Sequence, residues 1–143
     1  MTKEERELLV KDLRGRIGYN VKVLHESWNY EWDQELSLLE RVVGIDDDFV
    51  YVRVIDTHTG EEYREDKHSI ELYECKPYLR SMSDMTEEEK QEYNKCWVDS
   101  FLNHETAYKM IDWLNSHHFD YRGLLEKNLA MDIHILIDNG IKV

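Results

Sequence analysis

The chain has 143 residues with 41% hydrophobic and 11% aromatic content, which is the usual size and composition of one domain with its own core. Its formal net charge of −13 at pH 7 disfavours binding to DNA or RNA, because such a field repels phosphates. No apolar run approaches the roughly 18 residues that span a bilayer, and the charged start lacks the hydrophobic block of a signal peptide. We therefore expect a cytoplasmic protein that does not enter membranes.

The negative charge is concentrated in the front half of the chain. Residues 26–48 carry eight acids against Arg41, a net of −7, and residues 61–74 carry six acids against Arg64 and Lys67, a net of −4. Exposed acids at this density attract a basic protein surface. They also serve simply to keep a small protein soluble, so both interpretations stay open.

The first predicted element is a short amphipathic helix. Thr2 and Glu5 form a capping-box pattern, and leucines then recur at helical spacing until Gly15 and Gly18. From Tyr19 the hydrophobic period changes to two, which predicts strands over 21–27, 35–45, 48–56 and 69–75. The polar links between them are too short for crossover helices, so we expect antiparallel pairing in a small sheet or SH3-like barrel.

An acidic and aromatic loop interrupts these strands over residues 26–35. Its aromatic rings alternate with acids, a pattern that suits a cationic partner, although the rings could equally anchor packing. His25 and Glu26 could contribute to a ligand-binding rim beside it. The residues predicted to bind a partner are Glu26, Trp28, Tyr30, Glu31, Trp32, Asp33, Glu35, Asp46, Asp47 and Asp48.

The second half of the chain is predicted to be helical. Pro77 is expected to end the last strand, because proline removes a donor from the sheet, and residues 77–85 are predicted to be a linker. Thr86 and Glu89 form a second capping box that starts a helix over about 87–102. Asn103 is the expected cap of a second helix that ends near residue 116.

The predicted apolar face of the first of these helices comprises Tyr93, Cys96, Trp97 and Phe101, and that of the second comprises Ala107, Tyr108, Ile111 and Leu114. A third helix is predicted to start at a cap on Asp120, with Leu124, Leu125 and Leu129 as its apolar face. Beyond residue 130, alternating isoleucines and an Asn-Gly pair predict a strand or hairpin, or a frayed terminus.

These elements predict an α+β protein. We expect residues 1–76 to form an N-terminal helix with a small antiparallel sheet or barrel, and residues 77–85 to link this part to the rest. Residues 86–143 are expected to form a three-helix segment that packs on it. Alternatively, the whole chain forms one compact domain. The two cysteines, Cys75 and Cys96, lack CxxC spacing and are expected to be reduced thiols.

The sequence HHFDY contains the candidate ligand group of the chain. If one helix ends there, His117, His118 and Asp120 could offer nitrogen and oxygen ligands to a transition ion, with Tyr121 beside them. The structural alternative is a helix corner, in which Asp120 caps the next segment and one histidine hydrogen-bonds a free carbonyl of the preceding helix. The structural alternative explains the stretch with fewer assumptions.

Two stretches resemble a family of small uncharacterised proteins encoded by phages and mobile elements of gut Bacteroidales. The sequence KPYLRSMSDMTEEE at 76–89 is similar to a Lys-Pro-Tyr-Leu-Arg segment that leads into a Met-Thr-Glu-Glu-Glu helix start. The sequence DWLNSHHFDYRGL at 112–124 is similar to the family's helix corner. Asn128 stands where the family pattern has a glycine. The resemblance implies a genomic setting and no chemistry.

Two functional hypotheses follow. The first is a non-enzymatic interaction module that uses no cofactor and binds a basic host protein through its acidic, aromatic surface. It extends to inhibition of a host nucleic-acid-binding or defence protein. The second is a small-ligand or metal-binding protein, for nucleotide sequestration or metal-assisted hydrolysis, at the 117–121 corner with His25 or His58. The chain lacks GxxxxGK[ST], GxSxG and HExxH motifs, which favours the first hypothesis and a chain that is not an enzyme.

Overall fold

The computed structural model describes residues 1–29, 34–102, 104–141 and 143, with all their side chains except those of 27–29, 34–37, 64–66, 99–102 and 104–106. In chain order its elements are α1 (Lys3–Arg16), β1 (Lys22–Asn29), β2 (Gln34–Ile45), β3 (Phe49–Ile55), β4 (Glu62–Glu71), β5 (Cys75–Leu79), α2 (Glu87–Leu102), α3 (His104–Ser116), β6 (Met131–Asp132) and α4 (His134–Asp138). Two 3₁₀ turns, Leu72–Glu74 and Met82–Asp84, flank β5.

The strands form one mixed sheet in the order β4-β3-β2-β1-β5-β6. All neighbours are antiparallel except β5 and β6, which are parallel. In the described part of the chain the sheet is not closed into a barrel, so the expectation of an SH3-like barrel is wrong, while the α+β class is confirmed. Closure fails because β5 pairs with β1 and then adds β6 on its other side, which leaves β4 and β6 at opposite edges.

Pro77 lies inside β5 instead of ending a strand. It is paired with Val23 on β1, and parallel pairing with β6 begins one residue later, at Tyr78. A proline removes only its own donor, so a strand can continue through it where that donor has no partner to lose. Arg80 extends the connection, because its N–H donates to His118 O and its carbonyl accepts from Asp120 N, both at 2.8 Å. The predicted linker is therefore tied to the sheet and to the helix corner.

The inner face of the sheet carries the main apolar core. The capping box of Thr2 and Glu5 starts α1 as predicted, and Leu9 and Leu13 of α1 are fully buried against the sheet. Apolar side chains recur at every second position of the strands, as the pleat requires. Their partners in this core are Val21, Val23, Val42, Val50, Val52, Ile70, Leu72, Cys75, Leu79, Leu124, Leu129 and Ala130.

The C-terminal segment covers the outer face of the sheet. Ile133 and Leu136 pack there on Leu39, Ile55 and Tyr78. The Asn-Gly pair at 139–140 ends α4 and does not turn a hairpin, because Gly140, at φ 73°, donates to Ile137 O while Ile141 N donates to Leu136 O. The expected hairpin is therefore wrong, and the expected strand is limited to the two residues of β6.

The first two helices of the second half have the predicted bounds. The capping box is present, since Glu89 N donates to Thr86 Oγ1 and Thr86 N donates to Glu89 Oε1. The side chain of Tyr108 is 75% exposed and Ile111 is 37% exposed, so their predicted burial is wrong. Leu114 is buried as predicted, and Met110 and Trp113 pack beside it against the corner. Among the described residues, no helix combines the length and apolarity that a bilayer crossing requires.

The predicted third helix is absent from residues 120–130, which form turns. Asp120 does cap this segment, with its two carboxylate oxygens accepting from Leu124 N and Leu125 N at 2.9 Å. Gly123 and Asn128 have φ angles of 73° and 57°, which lie outside the helical region and interrupt the chain twice. Asn128 thus adopts the backbone conformation that favours glycine.

A buried ion pair fastens α1 to the corner. Asp12 and Arg16 are both fully buried, and Arg16 donates to the Asp12 carboxylate at 2.7 and 3.1 Å. The Arg16 guanidinium also donates to Phe119 O at 2.7 Å, and Arg122 Nε lies 3.5 Å from Asp12. The pair therefore connects the first and last thirds of the chain.

Replacing Arg16 by methionine should lower the free energy of unfolding by about 3–5 kcal/mol, because it leaves the Asp12 carboxylate buried with only the longer contact to Arg122. The double variant Asp12→Leu with Arg16→Met should recover part of this loss. Lys11→Met, at an exposed position of the same helix, should change stability by less than about 0.5 kcal/mol. Urea unfolding measures all three, and a loss below about 1 kcal/mol for Arg16→Met would contradict the role of the pair.

Candidate metal centre

Three ionisable side chains interrupt the apolar inner face. His25 lies two residues beyond Val23 on β1, and Glu40 lies two residues before Val42 on β2. His68 lies two residues before Ile70 on β4. Because side chains two apart share a face of a strand, all three point to the side that carries the core.

The three side chains meet at the Glu40 carboxylate. His25 Nδ1 and His68 Nε2 each lie 3.0 Å from Glu40 Oε1. The two imidazole rings have centroids 5.9 Å apart. One ligand atom from each residue falls within 4.8 Å of the other two, which is the spacing of a coordination sphere. We call His25, Glu40 and His68 the His-Glu-His site.

The site is buried at its centre and open on one side. The Glu40 side chain is fully buried and that of His25 is 9% exposed, whereas that of His68 is 36% exposed. Glu40 Oε2 is buried with no hydrogen-bond partner among the described residues. On the far side of the His25 ring, Nε2 lies 3.5 Å from Glu74 Oε2.

Carboxylates dominate the electrostatics around His25. The hydrogen bond to Glu40, with the charges of Glu40 and Glu74, raises the pKa of His25 above its usual value although burial acts in the opposite direction. Burial, and then the Glu40 charge, raises the pKa of the neighbouring Cys75 thiol. Cys75 is therefore a protonated core residue and not a nucleophile. Both cysteines are free, as the sequence predicts.

The predicted ligands at the 117–121 corner do not form such a group. His117 Nδ1 donates to Trp113 O at 2.8 Å and its ring stacks on the Trp113 indole at 4.2 Å. Asp120 is used by its cap, and Tyr121 Oη donates to Asn115 Oδ1 at 2.8 Å. Among the described residues, two groups of three ligand atoms lie within 4.8 Å, and neither contains a residue of the corner.

His118 is held in the corner by its backbone. Its φ of 62° lies in the left-handed region, its N–H donates to Asn115 O, and its carbonyl accepts from Arg80. Burial, followed by the positive charges of Lys22 and Arg16, lowers the pKa of His118 to about 4. The imidazole is therefore neutral at pH 7, and the corner is a packing device that matches the structural alternative.

The predicted partner-binding residues are only partly visible. Tyr30, Glu31, Trp32 and Asp33 lie outside the described residues, as do the side chains of Trp28 and Glu35. Glu26 and the turn 46–48 are exposed.

Within the turn 46–48, two of the three aspartates have internal partners. Asp47 accepts from Arg14 at 2.8 Å. Asp46 accepts from Tyr51 and from the backbone of its own turn. All three aspartates remain exposed, Asp47 with 93% of its side chain accessible. Asp48 and Glu26 are the described acids of this set that do not make such a side-chain contact.

Sequence reasoning found His25 but assigned it the wrong neighbours. His25 points into the core while Glu26 is exposed on the other face, so the two do not form one rim. His58 lies exposed in the turn between β3 and β4, outside the site. Glu40 and His68 were missed. Each of them is a polar residue at an inward position of a strand with alternating polar and apolar residues. This pattern could have marked them as unusual, but it does not show which strands lie close together.

A second group of ligand atoms lies at the surface. His134 Nε2 is 2.7 Å from Asp84 Oδ2, and Asp132 Oδ1 accepts from His134 N at 2.9 Å. The His134 side chain is 48% exposed, so water competes for each of these atoms. This group ties α4 to the 3₁₀ turn before α2, and its chemistry is weaker than that of the buried site.

No protein-family model, no curated protein and no solved structure matches this chain. Function is therefore inferred from the geometry of the chain itself.

The lowered pKa of His118 predicts acid destabilisation. The unfolded chain takes up a proton near pH 6.5 and the folded chain near pH 4, so stability is lost as the pH falls between these values. His118→Asn, which tolerates the positive φ, should flatten this part of the profile. His58→Asn, at an exposed position, should follow the wild type. Urea unfolding from pH 7 to pH 4 measures the slopes, and equal slopes for His118→Asn and wild type would contradict the assignment.

Proposed function

We propose that the chain binds one divalent first-row transition ion of the zinc class through His25 Nδ1, Glu40 Oε1 and His68 Nε2. The observation that carries this proposal is a fully buried carboxylate that lies between two imidazoles and has one oxygen without a partner among the described residues. Such a group is costly to bury unless its charge is compensated. A cation at the centre of the three ligand atoms supplies that compensation.

The spacing of the atoms supports a metal ion. Imidazole nitrogens and carboxylate oxygens bind zinc at about 2.0–2.2 Å, which in a tetrahedral site places neighbouring ligand atoms about 3.3–3.6 Å apart. Both nitrogens lie 3.0 Å from Glu40 Oε1, which is closer than this range by a few tenths of an ångström. Only small side-chain shifts are then needed to admit the ion.

The donor set selects the class of ion. Two imidazoles and one carboxylate suit zinc and its first-row neighbours, whereas calcium and magnesium prefer sets of oxygen ligands. Three protein ligands leave a position for water or a fourth ligand. The partly exposed His68 gives that position access to solvent.

Glu74 supports the same interpretation. Histidines that bind metals usually donate their second ring N–H to a carboxylate or a carbonyl, which fixes the ring and raises its basicity. His25 has this arrangement, with Nδ1 towards Glu40 and Nε2 towards Glu74. A buried hydrogen-bonded cluster without metal is the competing explanation, and it leaves the charge of the Glu40 carboxylate to be compensated by the two histidines alone.

Zinc added to chelator-treated protein should bind at one equivalent and raise the free energy of unfolding by about 2.7 kcal/mol when free zinc is 100 times Kd. Glu40→Gln and the milder His68→Gln should each weaken binding at least about tenfold, because each removes a ligand. Calorimetric titration and thermal unfolding measure both effects, and cooperative unfolding shows that each variant is folded.

His134→Gln, which alters only the surface group, is the matched control and should bind zinc like the wild type. Magnesium and calcium should produce no shift. A folded wild-type chain that takes up no stoichiometric zinc, cobalt or manganese would overturn the proposed function.

A second candidate function uses the acidic front half of the chain. We propose that this surface binds a basic protein, as the sequence suggests, and the exposed carboxylates of Glu26 and Asp48 favour this. The internal partners of Glu40, Asp47 and Glu62 reduce the free charge, since these acids contact His25, Arg14 and Arg41 respectively. These three acids therefore offer less charge to a partner than their number suggests.

Capture from a host lysate tests this second function. The double variant Glu26→Gln with Asp48→Asn should retain severalfold less of a basic partner than the wild type, because charge steers such associations. Glu88→Gln with Glu126→Gln removes the same charge from exposed positions elsewhere and should retain it fully. Capture should also fall in about 0.5 M salt, where the Debye length is only a few ångströms. Equal capture by both double variants would contradict this surface.

A further inference from the structure

Both nitrogens of the His25 ring have carboxylate partners. Nδ1 lies 3.0 Å from Glu40 Oε1 and Nε2 lies 3.5 Å from Glu74 Oε2. If the ring flipped, carbon atoms would replace the nitrogen atoms at both contacts. The ring is also buried, so it has little room to adopt another rotamer. The two carboxylates therefore decide which nitrogen faces the centre of the site.

The backbone fixes the position of Glu74. His25 is paired with Cys75 at the start of β5, so the residue before Cys75 lies beside the His25 ring. Glu74 closes the 3₁₀ turn Leu72–Glu74, and its carboxylate also accepts from Glu71 N at 3.4 Å. The Glu74 carboxylate is thus held by the turn that joins β4 to β5.

Hydrogen-bond chemistry gives the two ring nitrogens different roles. A carboxylate accepts from an N–H, so Glu74 favours the tautomer of His25 whose proton is on Nε2. A nitrogen that binds a metal needs a free lone pair, and in this tautomer that nitrogen is Nδ1.

We infer that Glu74 is the positioning residue that keeps Nδ1 of His25 on the metal side of the His-Glu-His site. This inference rests on the proposed metal function. Glu74 acts through the His25 ring, because it holds Nε2 while Nδ1 faces Glu40.

Zinc titration calorimetry at pH 7 tests the two proposals separately. The wild-type chain should bind one zinc ion. Absence of zinc uptake by the wild type would overturn the proposed metal function. A zinc Kd that is unchanged in the Glu74→Met variant would overturn only the role of Glu74.

Variants at Glu74 separate positioning from charge. Glu74→Met removes the acceptor for Nε2–H and should raise the zinc Kd about 10–100-fold, as loss of such outer partners does. Glu74→Gln restores an acceptor and should recover most of the affinity. Glu26→Gln removes a charge from the neighbouring exposed residue and should bind zinc like the wild type.

Nitrogen-15 spectra of the His25 ring test the positioning role directly, because a purely structural role of Glu74 would leave the position of the ring proton unchanged. In the zinc-bound wild type and in Glu74→Gln, the proton should reside on Nε2, with Nδ1 bound to metal. In Glu74→Met this preference should be lost. If Glu74→Met retains both the wild-type affinity and the Nε2 proton, Glu74 has no positioning role.

Discussion

The register of the sheet forces a carboxylate into the core, and the chemistry of the chain depends on this constraint. Glu40 shares its face of β2 with Val42, so a one-residue slip that exposed Glu40 would also expose the valine and every inward residue of that strand. The apolar core therefore holds Glu40 inside. His25 and His68 meet its charge because the same alternation turns them inward on β1 and β4. The two-residue periodicity of the strands therefore determines both the packing of the apolar core and the burial of these three ionisable side chains.

The histidines that lie together in sequence and those that lie together in space have different roles. His117 and His118 are adjacent in the chain and finish a corner, where one ring stacks on Trp113 and the other is kept neutral by burial. His25 and His68 are 43 positions apart and converge on one oxygen. Sequence clustering of ligand-type residues is thus a poor guide here, since a corner needs polar groups to satisfy the free carbonyls of its helix.

Sequence patterns predicted the local structure of the chain but did not predict the contacts between distant segments. Both capping boxes, the bounds of α2 and the cap at Asp120 follow from contacts within a few residues, and each was predicted. Other features depend on which distant segments are brought together by folding. These are the open sheet, the path of β5 through Pro77 and the end of α4 at Gly140. His25, Glu40 and His68 belong to the second kind. Each is a polar residue in an inward position, but their meeting requires the strand order, which no local pattern contains.

The His-Glu-His site also joins strands that are not neighbours. Neighbouring strands lie about 4.8 Å apart, so β2 and β4 in a flat sheet would be separated by roughly twice that distance, with β3 between them. The 3.0 Å contact from Glu40 to His68 is made over the inner face of β3, whose Val52 is paired with His68. An ion bound there would link β1, β2 and β4 across this gap. Metal binding would consequently hold these three strands together as well as neutralise Glu40, so an ion at this site would stabilise the sheet.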